Sequence, residues 1–286
     1  MLKSQIINDR LRNYEIKSIE DEENALKEIL QEIALYALST TDFFTHAMFH
    51  GGTSLRILYH LPRFSEDLDF ILKTPNSQFR WEPYIEKMNK AFELFGVEPE
   101  IMDRGQANKT IQKMFLKDNS IGKIINLQFK HHAKRKLLIK LEIDTNPPMG
   151  STEAIKFLDF PLDSSILTQD LPSNFAGKCH ALLCRQYLKG RDWFDFSWYV
   201  AGKTQVNFNF LTAAINQAGP WQQQNINISN DWLITQLSNK INSIHWKAPK
   251  LEVSRFINKE FKDSLDLWST DFFLDKVHKL QQYLRN

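Results

Sequence analysis

Helical and strand periodicities alternate along the first hundred residues. In residues 20–38, apolar side chains recur every three or four positions, and this spacing predicts an amphipathic helix. Residues 65–72 alternate acidic and apolar side chains, which predicts a strand. Apolar residues at 47–49 run into residues 51–54 (GGTS), an order that favours a strand turning into a helix through glycines. A further helix is predicted over residues 80–95.

The pattern changes after the two prolines at 147 and 148. Residues 97–148 predict several strands, whereas residues 170–173 (DLPS) are typical of a helix start and the pattern beyond them is mainly helical. We therefore expect an α+β fold in two parts. Residues 1–150 would form an α/β lobe with an N-terminal helical extension, and residues 151–286 would form a helical C-terminal lobe.

Composition narrows the class of protein. The 286 residues are 42% hydrophobic and 24% charged, as in globular proteins, and the chain is long enough for two cores. With 36 Lys and Arg against 34 Asp and Glu, any nucleic-acid contact requires a local basic patch. The two cysteines lie five apart in a predicted helix and cannot form a disulfide, and no apolar stretch of about 18 residues or secretory leader is visible. We expect a cytoplasmic protein without a membrane partner.

Two candidate carboxylates lie in the predicted strand at 65–72. Asp67 and Asp69 are two positions apart, so both project from one face and can share a divalent cation. A solvated edge strand is the alternative, and it is the more common one for an isolated pair. Lys140, Glu142 and Asp144 alternate in the same way on a later predicted strand. If the two strands are neighbours, a third carboxylate joins the pair.

The glycine turn at residues 51–54 adds phosphate chemistry to these acids. Main-chain N–H groups at a helix start bind phosphate oxygens. Carboxylates can hold Mg²⁺ ions that bridge those oxygens and activate an attacking hydroxyl. A glycine pair alone more often marks a tight turn, but this one lies just upstream of the Asp-x-Asp strand. The combination predicts nucleotidyl transfer.

Four segments, in order, resemble the motifs of the AbiEii/AbiGii-type nucleotidyltransferase toxins of the DNA polymerase β-like superfamily. The first is residues 50–55 (HGGTSL) with 63–70 (RFSEDLDF), and the others are 140–145 (KLEIDT), 177–185 (GKCHALLCR) and 189–196 (KGRDWFDF). The resemblance implies a polymerase-β-like lobe with a mixed sheet, an NTP substrate, Mg²⁺ as cofactor and a cognate antitoxin. It implies a toxin of a toxin–antitoxin or phage-defence system that acts on RNA, with the tRNA 3′ end as the leading acceptor.

The resemblance also assigns expected roles to individual residues. The expected catalytic residues are Asp67, Asp69, Glu142, Lys178 and Asp192, and those expected to bind substrate are Gly52, Thr53, Ser54, Ser65, Lys140, Arg185 and Arg191. Metal ligands would be Asp67, Asp69 and Glu142, with Asp144 in reserve because many relatives carry Asn there. Lys178 would contact the triphosphate. Arg191 would be either a phosphate ligand or a salt-bridge partner.

Several alternatives remain open at this level. Asp192 could cap a helix, and Lys178 could be a solvated surface charge. The basic run at residues 130–136 could follow an RNA backbone, although charges at a hairpin tip are usually only solvated. The enzyme could instead nucleotidylate Ser, Thr or Tyr of a partner protein, or the fold could be an inactive module that binds RNA or nucleotide. The identity of the NTP, the antitoxin and the oligomeric state do not follow from sequence.

Overall fold

The computed structural model describes residues 2–105, 109–121, 127–129 and 136–284 of the chain. The chain divides into two compact units. The first comprises Met1–His60, Phe64–Pro147 and Ala154–Thr168, and the second comprises Leu61–Arg63, Pro148–Glu153 and Gln169–Asn286. Within the described part of the chain, no helix is both long and apolar enough to cross a membrane.

The first unit combines helices with a sheet. Its helices are α1 (Leu2–Leu11), α2 (Ile19–Ser39), α3 (Phe43–His46), α4 (Gly51–Tyr59) and α5 (Glu82–Leu94). Its strands are β1 (Ala47–His50), β2 (Leu68–Leu72), β3 (Glu100–Asp103), β4 (Ile111–Asp118), β5 (Leu137–Asp144), β6 (Glu153–Leu158) and β7 (Ser164–Gln169). The helix expected at 20–38, the strand-to-helix turn at 51–54 and the helix expected at 80–95 are confirmed.

The strands pair into one mixed sheet in the order β3-β4-β5-β2-β1-β7-β6. β2 runs antiparallel to β1 and parallel to β5, and β4 runs antiparallel to both β3 and β5. This arrangement confirms the mixed sheet and the α+β class. It also confirms that the two acid-bearing strands, β2 and β5, are neighbours.

The core of the first unit lies on one face of the sheet. Phe49, Leu68, Phe70, Leu141 and Ile143 alternate along β1, β2 and β5 and are buried in one cluster with the apolar side of α2. The residues between them point to the opposite face, because successive side chains of a strand alternate. The carboxylates of β2 and β5 therefore lie away from the main core.

An N-terminal cap explains why α2 begins at Ile19. The Ser18 hydroxyl accepts a hydrogen bond from the main-chain N–H of Asp21, and three acids follow in the first turn.

The sheet continues past the boundary expected at residue 150. β6 and β7 lie after that point and extend the sheet. The hydrophobic pattern of these short strands is ambiguous, because Ile155 and Phe157 of β6 are largely exposed. Only their pairing with the sheet identifies the segments as strands.

The second unit is mainly helical. Its helices are α6 (Leu171–Cys184), α7 (Gly190–Ala201), α8 (Phe208–Gln217), α9 (Asn230–Asn242), α10 (Lys247–Val253), α11 (Lys259–Lys262) and α12 (Thr270–Leu284), with a 3₁₀ helix at Asp263–Leu267. The helix start predicted at 170–173 is confirmed, since the Asp170 carboxylate accepts from the N–H of Ser173 at 2.9 Å. α7 contacts α6, α10 and α12. A Cβ at Gly190 would lie 1.9 Å from the Pro249 carbonyl oxygen, so glycine allows α7 to begin against α10.

Candidate active site

The turn between β1 and α4 brings a helix start beside a carboxylate. Gly51 has a φ of +77°, and a Cβ there would lie 2.8 Å from Asp69 Oδ2. Glycine is therefore required both by the left-handed backbone and by the close approach of this carboxylate. Gly52 follows as the second residue of α4. The predicted turn thus directs the first residues of a helix toward the Asp-x-Asp segment.

The hydroxyls of the turn bind the main chain. Thr53 Oγ1 donates to the main-chain oxygen of Asp67, and Ser54 Oγ donates to that of Gly51 at 2.9 Å. Both side chains are fully buried. They therefore hold the α4 start and the Asp67 backbone in place. Ser65 is half-buried, and its carbonyl accepts from Gln31 of α2 at 3.1 Å.

The register of the sheet aligns the acids in a transverse row. Asp69 pairs with His50 of β1 on one side and with Glu142 of β5 on the other, and Glu142 pairs in turn with Lys113 of β4. Asp67 immediately precedes β2, so the strand predicted at 65–72 begins later than expected, at Leu68. Asp67, Asp69 and Glu142 nevertheless lie in the same region of the structure.

Two lysines hold these acids together. Lys140 Nζ lies 3.2 Å from Asp67 Oδ2 and 2.9 Å from Glu142 Oε2, so one ammonium bridges the carboxylates of two neighbouring segments. Lys113 Nζ lies 2.8 Å from Glu142 Oε1. The side chains remain partly open to solvent, with 39% of Asp67 and 22% of Glu142 exposed. Lys113 was not identified by sequence reasoning; its alternation with buried residues of β4 was the available signal.

The acids differ in their affinity for protons. Burial, with the nearby charge of Asp69 second, raises the pKa of Asp67. Burial acts in the same direction on Glu142, but hydrogen bonds from Lys113 and Lys140 outweigh it and lower the pKa of Glu142. Burial disfavours the charged form of a carboxylate, and a neighbouring like charge adds to that effect. A cation bound beside Asp67 would remove that penalty.

The donor set suits Mg²⁺ in kind but is not closed around a metal position. Carboxylate oxygens are the ligands that Mg²⁺ prefers, and Lys140 already brings a positive charge within reach of both Asp67 and Glu142. In the described residues, no three His, Cys, Asp or Glu side chains are gathered in a group that could hold a metal ion. The acids therefore fit a divalent cation only if the ammonium of Lys140 moves aside.

Asp144 lies farther along the same strand. It pairs with Ile71 rather than with an acid, and its carboxylate accepts from the N–H of Asn146 at 2.9 Å. Burial raises the pKa of Asp144. Residues two apart on a strand are separated by roughly 6.6 Å. Asp144 therefore lies one strand repeat beyond Glu142, and the choice of Glu142 as the third ligand stays a prediction.

In the second unit, the predicted lysine and aspartate belong to a buried ion-pair network. Lys178 Nζ of α6 lies 2.6 Å from Asp192 Oδ1 and 2.8 Å from Asp195 Oδ2, both on α7. Arg185 contacts the second oxygen of Asp192, and Arg63 donates from two nitrogens to Asp195, each at 2.6 Å. The side chains of Arg63 and Asp195 are at most 2% exposed. The network ties α6, α7 and the 61–63 segment together.

This network bears on the alternatives considered for Asp192 and Lys178, namely a helix cap and a solvated surface charge. Although burial alone would raise the pKa of Asp192, the charges of Lys178 and Arg185 lower it to about 2. Asp192 therefore pairs with cations instead of capping α7, and Lys178 is not a solvated surface charge. Arg63 and Asp195 were not among the expected site residues, although both lie within the quoted motifs. The triphosphate contact expected of Lys178 stays a prediction.

Arg191 has a partner of its own. Its main-chain N–H and its Nε donate to the Glu252 carboxylate at 3.0 and 2.8 Å, and its guanidinium lies 4.0 Å from the centre of the Phe256 ring. Arg191 thus forms a salt bridge with Glu252 in the structure, and the phosphate contact considered for it stays a prediction. Residues 130–135 of the basic run lie outside the described residues. Lys136 is exposed, and its Nζ lies 3.4 Å from Glu100 Oε2.

The chain is similar to nucleotidyltransferase toxins in sequence and in fold. The sequence model of the AbiEii nucleotidyl transferase toxins, of type IV toxin–antitoxin systems, matches residues 33–276. Among solved structures, MenT4, a nucleotidyltransferase toxin from Mycobacterium tuberculosis H37Rv, has a TM-score of 0.53 at 14% identity, over 97% of this chain and 98% of its own. JHP933 from Helicobacter pylori has a TM-score of 0.50 at 14% identity, over 92% and 90%. A search of curated proteins found no significant match.

Proposed function

We propose, because the chain belongs to the AbiEii family of nucleotidyltransferase toxins, that it transfers a nucleoside monophosphate from an NTP to an RNA hydroxyl and releases pyrophosphate. The leading acceptor is the tRNA 3′ end. The observation that carries the proposal is the alignment of Asp69 with Glu142, with the α4 start at Gly51 packed against the Asp69 carboxylate. This arrangement combines a phosphate-binding helix start with acids suited to a divalent cation.

Each residue of this face has a defined task in the proposed reaction. Main-chain N–H groups at the start of α4 orient the triphosphate, and Thr53 fixes the backbone of Asp67 relative to that helix. When bound by Asp67, Asp69 and Glu142, Mg²⁺ would neutralise phosphate charge and polarise the attacking hydroxyl. Lys140 compensates Asp67 and Glu142 in the structure. Released from them, its ammonium can donate to a phosphate oxygen.

The biological setting follows the family. Membership of a type IV toxin–antitoxin family implies a nucleotide substrate and an antitoxin partner. A toxin that modifies tRNA must act where tRNA and NTPs are found, so we place the activity in the cytoplasm. Modification of the 3′ end would block the use of tRNA in translation, which accounts for toxicity and is compatible with phage defence.

A labelling experiment tests the acceptor. The purified protein is incubated with Mg²⁺, total tRNA and each radiolabelled NTP in turn, with Asp67→Asn as the inactive control. We expect label on tRNA with the wild-type chain and none with the variant. Label only on protein would support a protein-modifying transferase instead. Nucleotide or RNA binding without any transfer would support an inactive binding module.

A further inference from the structure

A cationic groove lies on the face of β3 and β4 that also carries the candidate active site. Its volume is about 490 Å³. Four basic side chains line it, namely Arg104, Lys109, Lys113 and Lys117. Apart from Lys113, its lining residues have no role assigned above, and we call this surface the β4 groove.

The groove also has an apolar component. Ile111, Phe115 and Leu138 line it, and they alternate with buried residues on β4 and β5. Ile111 and Leu138 are 36% and 44% exposed, and Phe115 is half-buried. A solvated strand face does not need exposed apolar side chains between its lysines. The groove therefore offers both positive charge and exposed apolar surface.

Most of its cations are not compensated by carboxylates. Lys113 pairs with Glu142, but in the described part of the chain Arg104, Lys109 and Lys117 have no carboxylate within ion-pair distance. The neighbouring Glu100 is engaged by Lys136. A chain with a net charge of only +2 thus concentrates positive charge at this place. Such a patch is complementary to a polyanion.

The combination of charge and apolar surface distinguishes between polyanions. Proteins that bind single-stranded nucleic acid hold the phosphates with a basic groove and pack the bases on aromatic side chains. An acidic peptide would satisfy the lysines but would leave Phe115, Ile111 and Leu138 without a matching partner. The side chains present therefore favour single-stranded nucleic acid over an acidic protein segment.

The register connects the groove directly to the candidate active site. Lys113 lies opposite Glu142, and Phe115 lies opposite Lys140. Neighbouring strands are about 4.8 Å apart, and the four residue steps from Lys113 to Lys117 extend roughly 13 Å along β4. A strand of nucleic acid in the groove would therefore lead to the acids without crossing the buried core.

We propose that the β4 groove binds a single-stranded segment of the RNA acceptor and directs its end to Asp67 and Glu142. This inference rests on the proposed function, because it identifies where that acceptor binds. Arg104, Lys109 and Lys117 contact phosphates, and Phe115 supports a base. Lys113 links the two regions because it contacts Glu142 and also lines the groove.

Direct binding measurements test the groove without requiring catalysis. Fluorescence anisotropy with a labelled, unstructured 12-nucleotide RNA is recorded between 50 and 300 mM NaCl, without NTP or Mg²⁺. The double variant Lys109→Glu/Lys117→Glu should bind at least about 10-fold more weakly, with a log–log salt slope shallower by roughly 1.4, since each lost contact with a single strand contributes about 0.7. Phe115→Leu, which keeps apolar volume, should weaken binding by about 5-fold.

A matched control separates the groove from general charge. Lys87→Glu/Lys90→Glu also reverses two charges, both on exposed side chains of α5, which packs with α2, and it should leave binding and salt slope unchanged. Equal affinity of the groove variant and the wild type would overturn the proposal. So would equal binding of a poly-glutamate peptide of matched charge, because the groove would then not distinguish nucleic acid from an acidic protein segment.

Transfer assays then separate this inference from the proposed function. The groove variant should show a raised KM for RNA and an unchanged KM for NTP. If the wild type labels RNA and the groove variant does so with unchanged KM, the groove assignment is wrong and the proposed function stands. If RNA binds through the groove but label appears only on protein, the proposed function fails, and the groove binds RNA without presenting an acceptor end. A wild type that neither binds nor labels RNA would overturn both.

Discussion

Asp67 and Glu142 in the first unit and Asp192 and Asp195 in the second are all held by lysine side chains, but they differ in burial. About two fifths of Asp67 is exposed, and its partner Lys140 is shared with Glu142. Asp195 is completely buried and is paired with both Lys178 and Arg63. An exposed pair contributes little to stability and can exchange its cation, whereas a buried pair that loses one partner is left with an uncompensated charge.

Acids paired with lysine thus occupy two environments, a half-open face in the first unit and a buried network in the second. On the half-open face, burial and secondly the charge of Asp69 raise the pKa of Asp67 in spite of Lys140. The buried network holds the pKa of Asp192 well below its usual range, which indicates nearly complete compensation. Substitutions in the two regions should therefore affect different observables.

The largest expected effect is on activity in the first unit. Asp67→Asn or Asp69→Asn should lower kcat by more than about 100-fold. Loss of a residue that only supports a metal ligand already costs roughly 10- to 100-fold. Thermal unfolding without added metal should be unchanged or slightly improved, because one member of a like-charged group is removed. Transfer kinetics and calorimetry measure the two effects. A large loss of stability would mark these acids as structural and remove the contrast between the two regions.

The next prediction distinguishes two acids of one strand. Glu142→Gln should eliminate transfer because Glu142 pairs with Asp69 and contacts Lys140, whereas Asp144→Asn should retain measurable turnover. Both substitutions keep shape and remove charge, so each is the control for the other at fixed Mg²⁺ and NTP. The reverse result, with Asp144→Asn inactive and Glu142→Gln active, would assign the third carboxylate to Asp144.

In the second unit, the largest effect should be on stability. Arg63→Met leaves Asp195 buried with one cation fewer, and we expect a loss of about 3–5 kcal/mol in the free energy of unfolding. Urea denaturation measures it. The double variant Arg63→Met/Asp195→Leu should lose less unfolding free energy, because the Asp195 charge that Arg63 had compensated is removed as well. A cost below about 1 kcal/mol for Arg63→Met would show that the pair behaves like an exposed one.

The smallest expected effect is a pH dependence at Asp192. Its pKa falls from 3.8 to about 2 on folding, so its stabilisation is present above pH 4 and is lost as the pH falls toward 2. The contribution is about 2 kcal/mol, from 1.36 kcal/mol per unit of pKa. The stability difference between the wild type and Asp192→Asn, measured by urea denaturation, should therefore narrow between pH 4 and pH 2. A difference that does not change with pH would contradict this assignment.

Local sequence was enough to predict the elements whose pattern depends on near neighbours. The apolar spacing of residues 20–38 gave α2, and the glycines at 51 and 52 marked the β1–α4 turn because few other residues adopt the required backbone. The motif order also identified the family, which the match over residues 33–276 shows independently. Short strands such as β6 were not predicted, since exposed apolar residues like Ile155 carry no clear period.

What the sequence by itself determined is the set of chemical groups and the faces on which they lie, because side-chain period depends only on local backbone geometry. Only the tertiary structure decided which groups meet. The parallel register of β2 and β5 places Asp69 beside Glu142, and antiparallel pairing adds Lys113 and the β4 groove. Likewise Arg63 reaches Asp195 across 132 residues of chain. Contacts between residues so far apart depend on how the whole chain packs, and no local pattern encodes them.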